Sequence, residues 1–238
     1  MESIYTQIMA AKALNKKLLA ILIDPDKVAM EEVPNLCQKI NTAPATHILV
    51  GGSSFAGDYL DELIAKLKSE IELPILLFPG NPSQISANAD GILFLTLLSG
   101  RNPDYLIEHQ VNAVPILKKT DLEVISTGYI LIESGHETAV ERVSKTKPLS
   151  RNNADYVLQT AKAGEYLGNK LVYLEAGSGA QLAVPTEIIN LVSQNINIPL
   201  IVGGGIRSKI EIDKVFNAGA DMVVIGTAFE NDTNFFRT

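Results

Sequence analysis

Cysteine is almost absent from this sequence, because Cys37 is its only one and no internal disulfide can form. That count fits a reducing compartment, so we expect a cytoplasmic protein. No apolar run reaches the roughly 18 residues that a membrane-spanning helix needs, so no transmembrane segment is expected. Residues 1–5 lack the cationic and apolar regions of a signal peptide, and none is predicted.

Positive charge is scarce as well. The chain has 20 Lys and Arg against 27 Asp and Glu, a formal net charge of −7, and it has no basic run. This balance argues against nucleic acid as a partner. An acidic protein that binds phosphate groups needs local groups that attract anions, such as helix ends, a few Lys or Arg side chains, or a divalent metal.

Apolar residues make up 46% of the 238 residues and occur in short runs that alternate with helical patterns. Continuous Val, Ile and Leu runs are typical of parallel strands that are buried on both faces. The length would fit two small domains, but the count and order of the runs favour one closed (β/α)8 barrel over residues 1–238 with a leading helix at 3–16. The predicted strands are 18–23, 46–50, 74–78, 91–95, 124–132, 171–174, 198–202 and 221–225.

The predicted helices fill the gaps between these strands with two exceptions. Only 83–89 remains between the third and fourth strands, which is too short for a full helix. The segment 133–153 is predicted to be a long irregular connection, either a functional lid or a solvated loop. In the helix predicted over 154–167, we expect Tyr156, Ala163 and Leu167 to face the core.

Glycine turns follow the last two predicted strands. In Leu200-Ile-Val-Gly-Gly-Gly-Ile-Arg-Ser208, an apolar strand runs into three glycines and a helix that Ser208 opens. Successive N–H groups without Cβ atoms can close around an anion, and a helix N-terminus adds partial positive charge. The pattern predicts a phosphate site or, alternatively, tight turns without a ligand. Its residues are Gly204, Gly205, Gly226 and Thr227.

Carboxylates and hydroxyls end other predicted strands, and all strand ends of a barrel meet at one mouth. Asp24 and Ser53 follow adjacent strands and suit Mg²⁺, which keeps waters and takes further oxygens from a phosphate substrate. Asp24 could instead cap a helix. Glu175 ends an apolar strand and is expected to be a general base or a hydroxyl anchor. Tyr173 shares its side of the strand and either contacts substrate or fills the barrel.

Five motifs at these strand ends together resemble the geranylgeranylglyceryl phosphate synthase family. They are Leu22-Ile-Asp-Pro-Asp-Lys27, Val50-Gly-Gly-Ser53, Tyr173-Leu-Glu-Ala-Gly-Ser-Gly179, Val202-Gly-Gly-Gly-Ile-Arg207 and Gly226-Thr227-Ala228. Each motif is loose, but five in order over nearly the whole chain are specific. The resemblance implies a modified (β/α)8 TIM barrel with helix 3 reduced to an irregular segment. It also implies a Mg²⁺-dependent prenyltransferase that joins sn-glycerol 1-phosphate to a polyprenyl diphosphate as an ether and releases diphosphate, with geranylgeranyl the expected chain.

The resemblance also assigns roles to residues. Asp24 and Ser53 match the magnesium ligands, and Glu175 matches the carboxylate that takes the proton from the attacking hydroxyl. Leu22 stands where some bacterial relatives have a Lys, so a phosphate contact from that position is absent. The segment that binds glycerol phosphate corresponds to Tyr173, Leu174, Glu175, Ala176, Gly177, Ser178 and Gly179, and the phosphate grip corresponds to Gly204, Gly205, Gly226 and Thr227.

Two residues nearer the middle of the chain complete the expected site. Arg101 could pair with the diphosphate, pair with a carboxylate across a subunit contact, or be a solvated loop residue. Tyr129 is expected to line the prenyl trough near the reacting end. The stretch Leu98-Ser-Gly-Arg-Asn-Pro103 resembles the subgroup with larger assemblies, which implies a homo-oligomer, a dimer or a hexamer. The lipid product implies transient membrane contact only.

Two other functions stay open on the residues alone. Another phosphate-binding TIM-barrel enzyme, an isomerase or a lyase, would use Asp24, but no second carboxylate ends the third or fourth predicted strand. A non-catalytic binder of prenyl phosphates would not need both Asp24 and Glu175.

Overall fold

The structure is a computed structural model that describes residues 3–52, 59–232 and 235–236. Eight parallel strands form a closed barrel in sequence order, with β8 paired to β1. This confirms the predicted (β/α)8 fold. The predicted single domain over residues 1–238 includes segments that are not described, and stays a prediction. The strands are β1 (Leu18–Ile23), β2 (His47–Val50), β3 (Ile75–Leu77), β4 (Gly91–Leu97), β5 (Glu123–Leu131), β6 (Leu171–Glu175), β7 (Leu200–Gly203) and β8 (Met222–Ile225).

Helices surround the barrel except between β3 and β4, where residues 78–90 form turns and no helix. The predicted reduction of the third barrel helix is therefore confirmed. A π-helical turn at Asp104–Glu108 precedes α4. The helices are α1 (Ile4–Ala13), α2 (Val33–Asn41), α3 (Leu60–Glu70), α4 (His109–Leu117), α5 (Ala139–Ser144), α6 (Ala154–Tyr166), α7 (Thr186–Asn195), α8 (Lys209–Asn217) and α9 (Thr227–Asn231).

The leading helix α1 closes the end of the barrel at which the strands begin. Its apolar face packs against the residues that fill the barrel interior. Its N-terminus is held by Glu123, whose carboxylate accepts hydrogen bonds from Ile4 N (2.6 Å) and Tyr5 N (2.9 Å). Near its C-terminus, Lys12 forms an ion pair with Asp221 at 2.9 Å. The opposite end, where the strands finish, is left as the mouth of the barrel.

Two details of the helices differ from the prediction. The segment 133–153 is not wholly irregular, because it contains α5, which starts with a capping box of Thr138 and Glu141. The three residues expected to face the core do not: Ala163 is exposed, Tyr156 is 43% exposed, and Leu167, which directly follows α6, is 79% exposed. The buried face of α6 is offset by one position and made mostly of small residues, which allow close packing on the barrel: Val157, Thr160, Ala161 and Gly164.

Candidate active site

A cavity of about 600 Å³ opens at the mouth of the barrel. One side of it, which we call the polar sector, is built by the neighbouring strands β6, β7, β8 and β1 and by the turns that follow them. The other side is built by β3, β4 and β5 and is apolar. The structure thereby brings together most of the predicted site residues, namely Asp24, Tyr129, Tyr173, Glu175, Gly177, Ser178, Gly179, Gly204, Gly205, Gly226 and Thr227.

Three of the predicted residues that the structure describes are not part of this cavity lining. Leu174 and Ala176 are fully buried between the barrel and its helices, because alternate residues of a strand face opposite sides. Arg101 lies on the outer surface, where its guanidinium donates to Leu98 O (2.8 Å), Gly100 O (2.7 Å) and Tyr156 Oη (3.2 Å). Ser53 lies outside the described residues.

Glu175 is a buried carboxylate at the last position of β6. Burial raises its pKa to about 7, against the lowering effect of the Gly177 N–H, the nearby Tyr173 hydroxyl and the Ala176 N–H. The Gly177 N–H donates to Glu175 Oε1 at 2.6 Å, which fixes the orientation of the carboxyl group. A carboxylate with a pKa near neutrality, facing a cavity, is suited to accept a proton from a substrate.

Tyr173 is fully buried, and within the described part of the chain its hydroxyl makes no direct hydrogen bond, although it lies near the Glu175 carboxylate. A Cβ atom at Gly203 would lie 2.5 Å from Tyr173 Oη and 2.8 Å from Glu175 Oε2, so both oxygens border the gap that this glycine leaves. Burial, followed by the charge of Glu175, raises the pKa of the Tyr173 hydroxyl well above its ordinary value. A neutral, unpaired hydroxyl at a cavity wall indicates a polar ligand group there.

The glycine turn after β7 has the conformation and the free donors that an anion site needs. Gly204 and Gly205 have φ of +81° and +71°. In the main chain as described, their N–H groups make no backbone hydrogen bond. The turn at Gly226 and Thr227 is adjacent, because Gly203 of β7 pairs with Val224 of β8. Two neighbouring donor-rich turns therefore face one part of the cavity, which favours a bound phosphate over ligand-free turns.

Asp24 both caps a turn and faces the cavity. Its Oδ1 accepts the Asp26 N–H at 3.2 Å and so caps the short 3-10 helix Pro25–Lys27. The same oxygen would lie 2.8 Å from a Cβ atom at Gly52, which places the carboxylate between the ends of β1 and β2. Capping and a role at the mouth are therefore compatible, and neither interpretation excludes the other.

The residues around Asp24 fit a magnesium ion only if the protein supplies few of its ligands. Over residues 3–52, 59–232 and 235–236, no group of three His, Cys, Asp or Glu side chains could hold a metal. Mg²⁺ is commonly bound by one or two carboxylates and completes its octahedron with waters and substrate phosphate oxygens. The carboxylate of Asp24, which faces the cavity beside the predicted diphosphate site, suits that form.

Among the wall residues of the apolar side, the sequence singled out Tyr129 alone. Phe78, Tyr129 and Tyr173 form an aromatic cluster with ring centroids 5.3–5.9 Å apart. Beyond it, the cavity passes over the outer face of β4 at the place where the third barrel helix is missing. We call this part the apolar trough, and it is lined by Ile92, Phe94, Tyr105, Ala113, Val140 and Val143. The missing helix was the available signal, since it leaves the half-buried side chain of Phe94 at the cavity wall.

The fold and the site define a class of protein: a (β/α)8 barrel with one cavity at its mouth, in which a buried carboxylate and glycine turns lie beside an apolar trough. The chain belongs to the PcrB family, whose family model matches residues 11–237. The resemblance inferred from the five motifs is thereby confirmed. Within the described residues, no helix is long and apolar enough to cross a membrane.

Named relatives cover almost the whole chain. A geranylgeranylglyceryl phosphate synthase from Flavobacterium johnsoniae is 64% identical over 234 residues, which cover 98% of this chain and 96% of that protein. One from Pyrococcus furiosus is 43% identical over 221 residues, covering 92% and 87%. The crystal structure of (S)-3-O-geranylgeranylglyceryl phosphate synthase from Thermoplasma acidophilum, in complex with sn-glycerol-1-phosphate, superposes with a TM-score of 0.93 at 34% identity, covering 99% of this chain and 95% of that one.

Proposed function

We propose that this chain is a prenyltransferase that forms an ether bond between sn-glycerol 1-phosphate and a polyprenyl diphosphate and releases diphosphate. Geranylgeranyl diphosphate is the expected donor, after the name that the relatives carry. The observation that carries the proposal is the division of one cavity into a polar sector and an apolar trough that meet at Tyr173 and Glu175. Two substrates of opposite polarity would have their reacting groups brought together at this boundary.

The polar sector suits glycerol phosphate in one orientation. Its phosphate would accept hydrogen bonds from the N–H groups of Gly204 and Gly205 and from the turn at Gly226 and Thr227. The glycerol hydroxyl would then reach the gap beside Gly203, where the Tyr173 hydroxyl lacks a partner. This places the attacking oxygen next to Glu175.

The reaction follows from this placement. The C–O bond between the prenyl chain and the diphosphate breaks, and its electron pair leaves with the diphosphate. The glycerol hydroxyl oxygen forms the new bond to that carbon, and its proton passes to Glu175. Because the pKa of Glu175 is about 7, a large fraction of the group is ionised near neutral pH and can accept this proton. The aromatic cluster at Phe78 and Tyr129 keeps water from the reacting carbon.

Mg²⁺ is part of this proposal, with Asp24 and Ser53 as its protein ligands. When bound, the ion would neutralise charge on the diphosphate and make it a better leaving group. The support is the carboxylate of Asp24 at the mouth, one strand away from the turn at Gly226 and Thr227.

We also propose that the protein is a homo-oligomer, either a dimer or a hexamer. In this proposal Arg101 lies at a contact between subunits. Arg101 lies beside the exposed ring of Tyr156 in a shallow surface groove that Leu98, Leu106 and Leu167 also line. This position favours a subunit contact over contact with the diphosphate. The buried thiol of Cys37 is compatible with a cytoplasmic location. Contact with the membrane would be transient, at product release.

The test is product formation from defined substrates. Purified protein is incubated with radiolabelled geranylgeranyl diphosphate, Mg²⁺ and either sn-glycerol 1-phosphate or its enantiomer, with a chelator in parallel. We expect an alkali-stable ether product from sn-glycerol 1-phosphate and its loss with the chelator. An isomerase or a lyase would give no prenylated product, and a binder would retain both substrates unchanged.

A further inference from the structure

The cavity contains an unassigned cation, the side chain of Lys27. It is the last residue of the 3-10 helix Pro25–Lys27, directly after β1. Its Nζ lies 3.3 Å from Asp24 Oδ2 and 3.4 Å from Glu230 Oε2. Glu230 belongs to α9, which follows the turn at Gly226 and Thr227. Lys27 therefore reaches across the boundary between the end of β1 and the end of β8.

The charges around the cavity make this lysine unusual. The described lining residues include four carboxylates, Asp24, Glu175, Glu230 and Asp232, but only one lysine and one arginine. The arginine, Arg207, is occupied, because its guanidinium donates to Ala180 O at 2.6 Å and to Gln181 O at 3.4 Å. Lys27 is thus the one flexible cation that the described lining offers to an anionic substrate.

The ion pairs of Lys27 are of the kind that exchanges readily. Its side chain is 44% exposed, and both carboxylates stand more than 3 Å away. Pairs with that exposure contribute little to stability, so the ammonium can turn from Asp24 to a phosphate oxygen at small cost. An ammonium on a long stem suits this task, since it binds oxygen atoms without a fixed plane.

We propose that Lys27 binds the diphosphate of the prenyl donor and stabilises it as it leaves. The inference rests on the proposed function and extends it to a residue of the first motif to which the resemblance assigned no role. When the C–O bond breaks, the electron pair passes to a diphosphate oxygen, and the ammonium of Lys27 faces the growing charge. Glu230 holds the ammonium from the far side. Lys27 supplies from the end of β1 the cation that Leu22 cannot supply.

The position of Lys27 assigns it to the diphosphate rather than to the glycerol phosphate. Its nearest partner is Asp24, which lies on the same side of the mouth as the end of β2. The proposed glycerol phosphate site runs from Gly204 and Gly205 after β7 to the turn at Gly226 and Thr227 after β8. Lys27 borders that turn through Glu230, so its assignment to the diphosphate rests on its contact with Asp24, the proposed magnesium ligand.

The experiment compares Lys27→Met and Lys27→Arg with a matched control, Lys68→Met. Lys68 pairs with Asp90 and is 40% exposed, but it lies on α3 and does not line the cavity. Inorganic diphosphate and sn-glycerol 1-phosphate are titrated separately into each protein by calorimetry at fixed Mg²⁺, and kinetics are measured for both substrates. Thermal unfolding checks that each variant folds, and Lys27→Gln is the second uncharged variant.

Loss of a charged hydrogen bond predicts about tenfold weaker binding of inorganic diphosphate by Lys27→Met, with a larger fall in kcat. Binding of sn-glycerol 1-phosphate should stay within about twofold, Lys27→Arg should recover most of the loss, and Lys68→Met should match the wild type. Unchanged diphosphate binding and kcat in Lys27→Met would overturn the proposal, and so would a loss confined to sn-glycerol 1-phosphate. Wild-type protein that binds diphosphate through Lys27 but forms no ether would refute the proposed function instead.

Discussion

Tyr173 Oη and Glu175 Oε2 face a common gap that exists because residue 203 is a glycine. The two side chains stand two residues apart on β6, and Gly203 lies opposite Glu175 on β7. An alanine at 203 would place its Cβ 2.5 Å from one oxygen and 2.8 Å from the other. The polar sector and the apolar trough meet at this pair, so the predictions begin here.

Glu175→Gln should abolish most turnover while leaving the affinity for Mg²⁺ near that of the wild type. A general base contributes about 10²- to 10⁴-fold, and an amide cannot accept the proton. In the wild type, kcat should rise as the pH passes through about 7, because below that pH Glu175 is protonated. Steady-state kinetics between pH 5.5 and 8.5 checks this. A flat profile, or metal affinity that collapses while turnover survives, would contradict the assignment.

The same substitution should stabilise the fold at alkaline pH. The pKa of Glu175 is raised from 4.5 to about 7, so the folded state disfavours the ionised form. Ionised Glu175 therefore lowers the free energy of unfolding of the wild type. This loss is absent below pH 4.5, grows as the pH rises, and is complete above pH 7, where it is on the order of 3 kcal/mol. Urea unfolding of both proteins at pH 8 and at pH 4.5 measures it. An equal difference at both pH values would disprove the linkage.

Gly204→Ala and Gly226→Ala should differ sharply in stability, although both residues belong to the proposed phosphate-binding turns. Gly204 has φ of +81°, and its Cβ would meet Gly177 N at 2.6 Å and crowd the Glu175 carboxyl group. Gly226 has φ of −129°, and its Cβ would stay 3.4 Å from Leu22 O. We expect Gly204→Ala to lose about 1–3 kcal/mol of stability and most glycerol phosphate binding, with Gly226→Ala close to the wild type in stability. Thermal unfolding and calorimetric titration compare them.

Gly205→Val should also weaken glycerol phosphate binding more than diphosphate binding. A Cβ atom there would meet the backbone at Ala183 N (2.8 Å) rather than the phosphate space. The substitution would therefore shift the turn itself. Titration of each ligand separately decides: unchanged glycerol phosphate binding would refute the site.

Asp24→Asn should remove most activity at saturating Mg²⁺ and leave the fold intact. Asparagine preserves the cap that Asp24 forms with the Asp26 N–H, but it lacks the charge that a metal requires. The expected loss is about 10²-fold or more in kcat/KM for the prenyl donor. Turnover near that of the wild type would exclude Asp24 as a metal ligand.

Val140→Phe should raise the KM for geranylgeranyl diphosphate and leave that for sn-glycerol 1-phosphate unchanged. Val140 lies on α5 and lines the apolar trough, so a larger side chain reduces the space for the prenyl chain. Val111→Phe is the control, because Val111 is 53% exposed on α4. If shorter donors are affected as strongly as long ones, the trough has been placed wrongly.

Residues close together in the chain were the predictable ones. The strands and the missing third helix could be predicted, because continuous apolar runs and short gaps between them are local features of the sequence. Asp24, Glu175 and the glycine turns were readable because a parallel barrel collects all strand ends at one mouth, whatever the details of packing. Ser53 was equally readable, but it lies outside the described residues.

Tertiary packing alone decided the rest. The face that α6 buries depends on small residues meeting the barrel, and apolar periodicity could not distinguish it from the face that carries Tyr156 and Leu167. The trough combines β4, α4 and α5, which are distant in the chain. Lys27 contacts Glu230 only because β8 pairs with β1, which brings residues that follow the first and last strands together. The amino-acid sequence thus determined the barrel and the chemistry of its mouth, whereas closure of the barrel decided which distant side chains share that mouth.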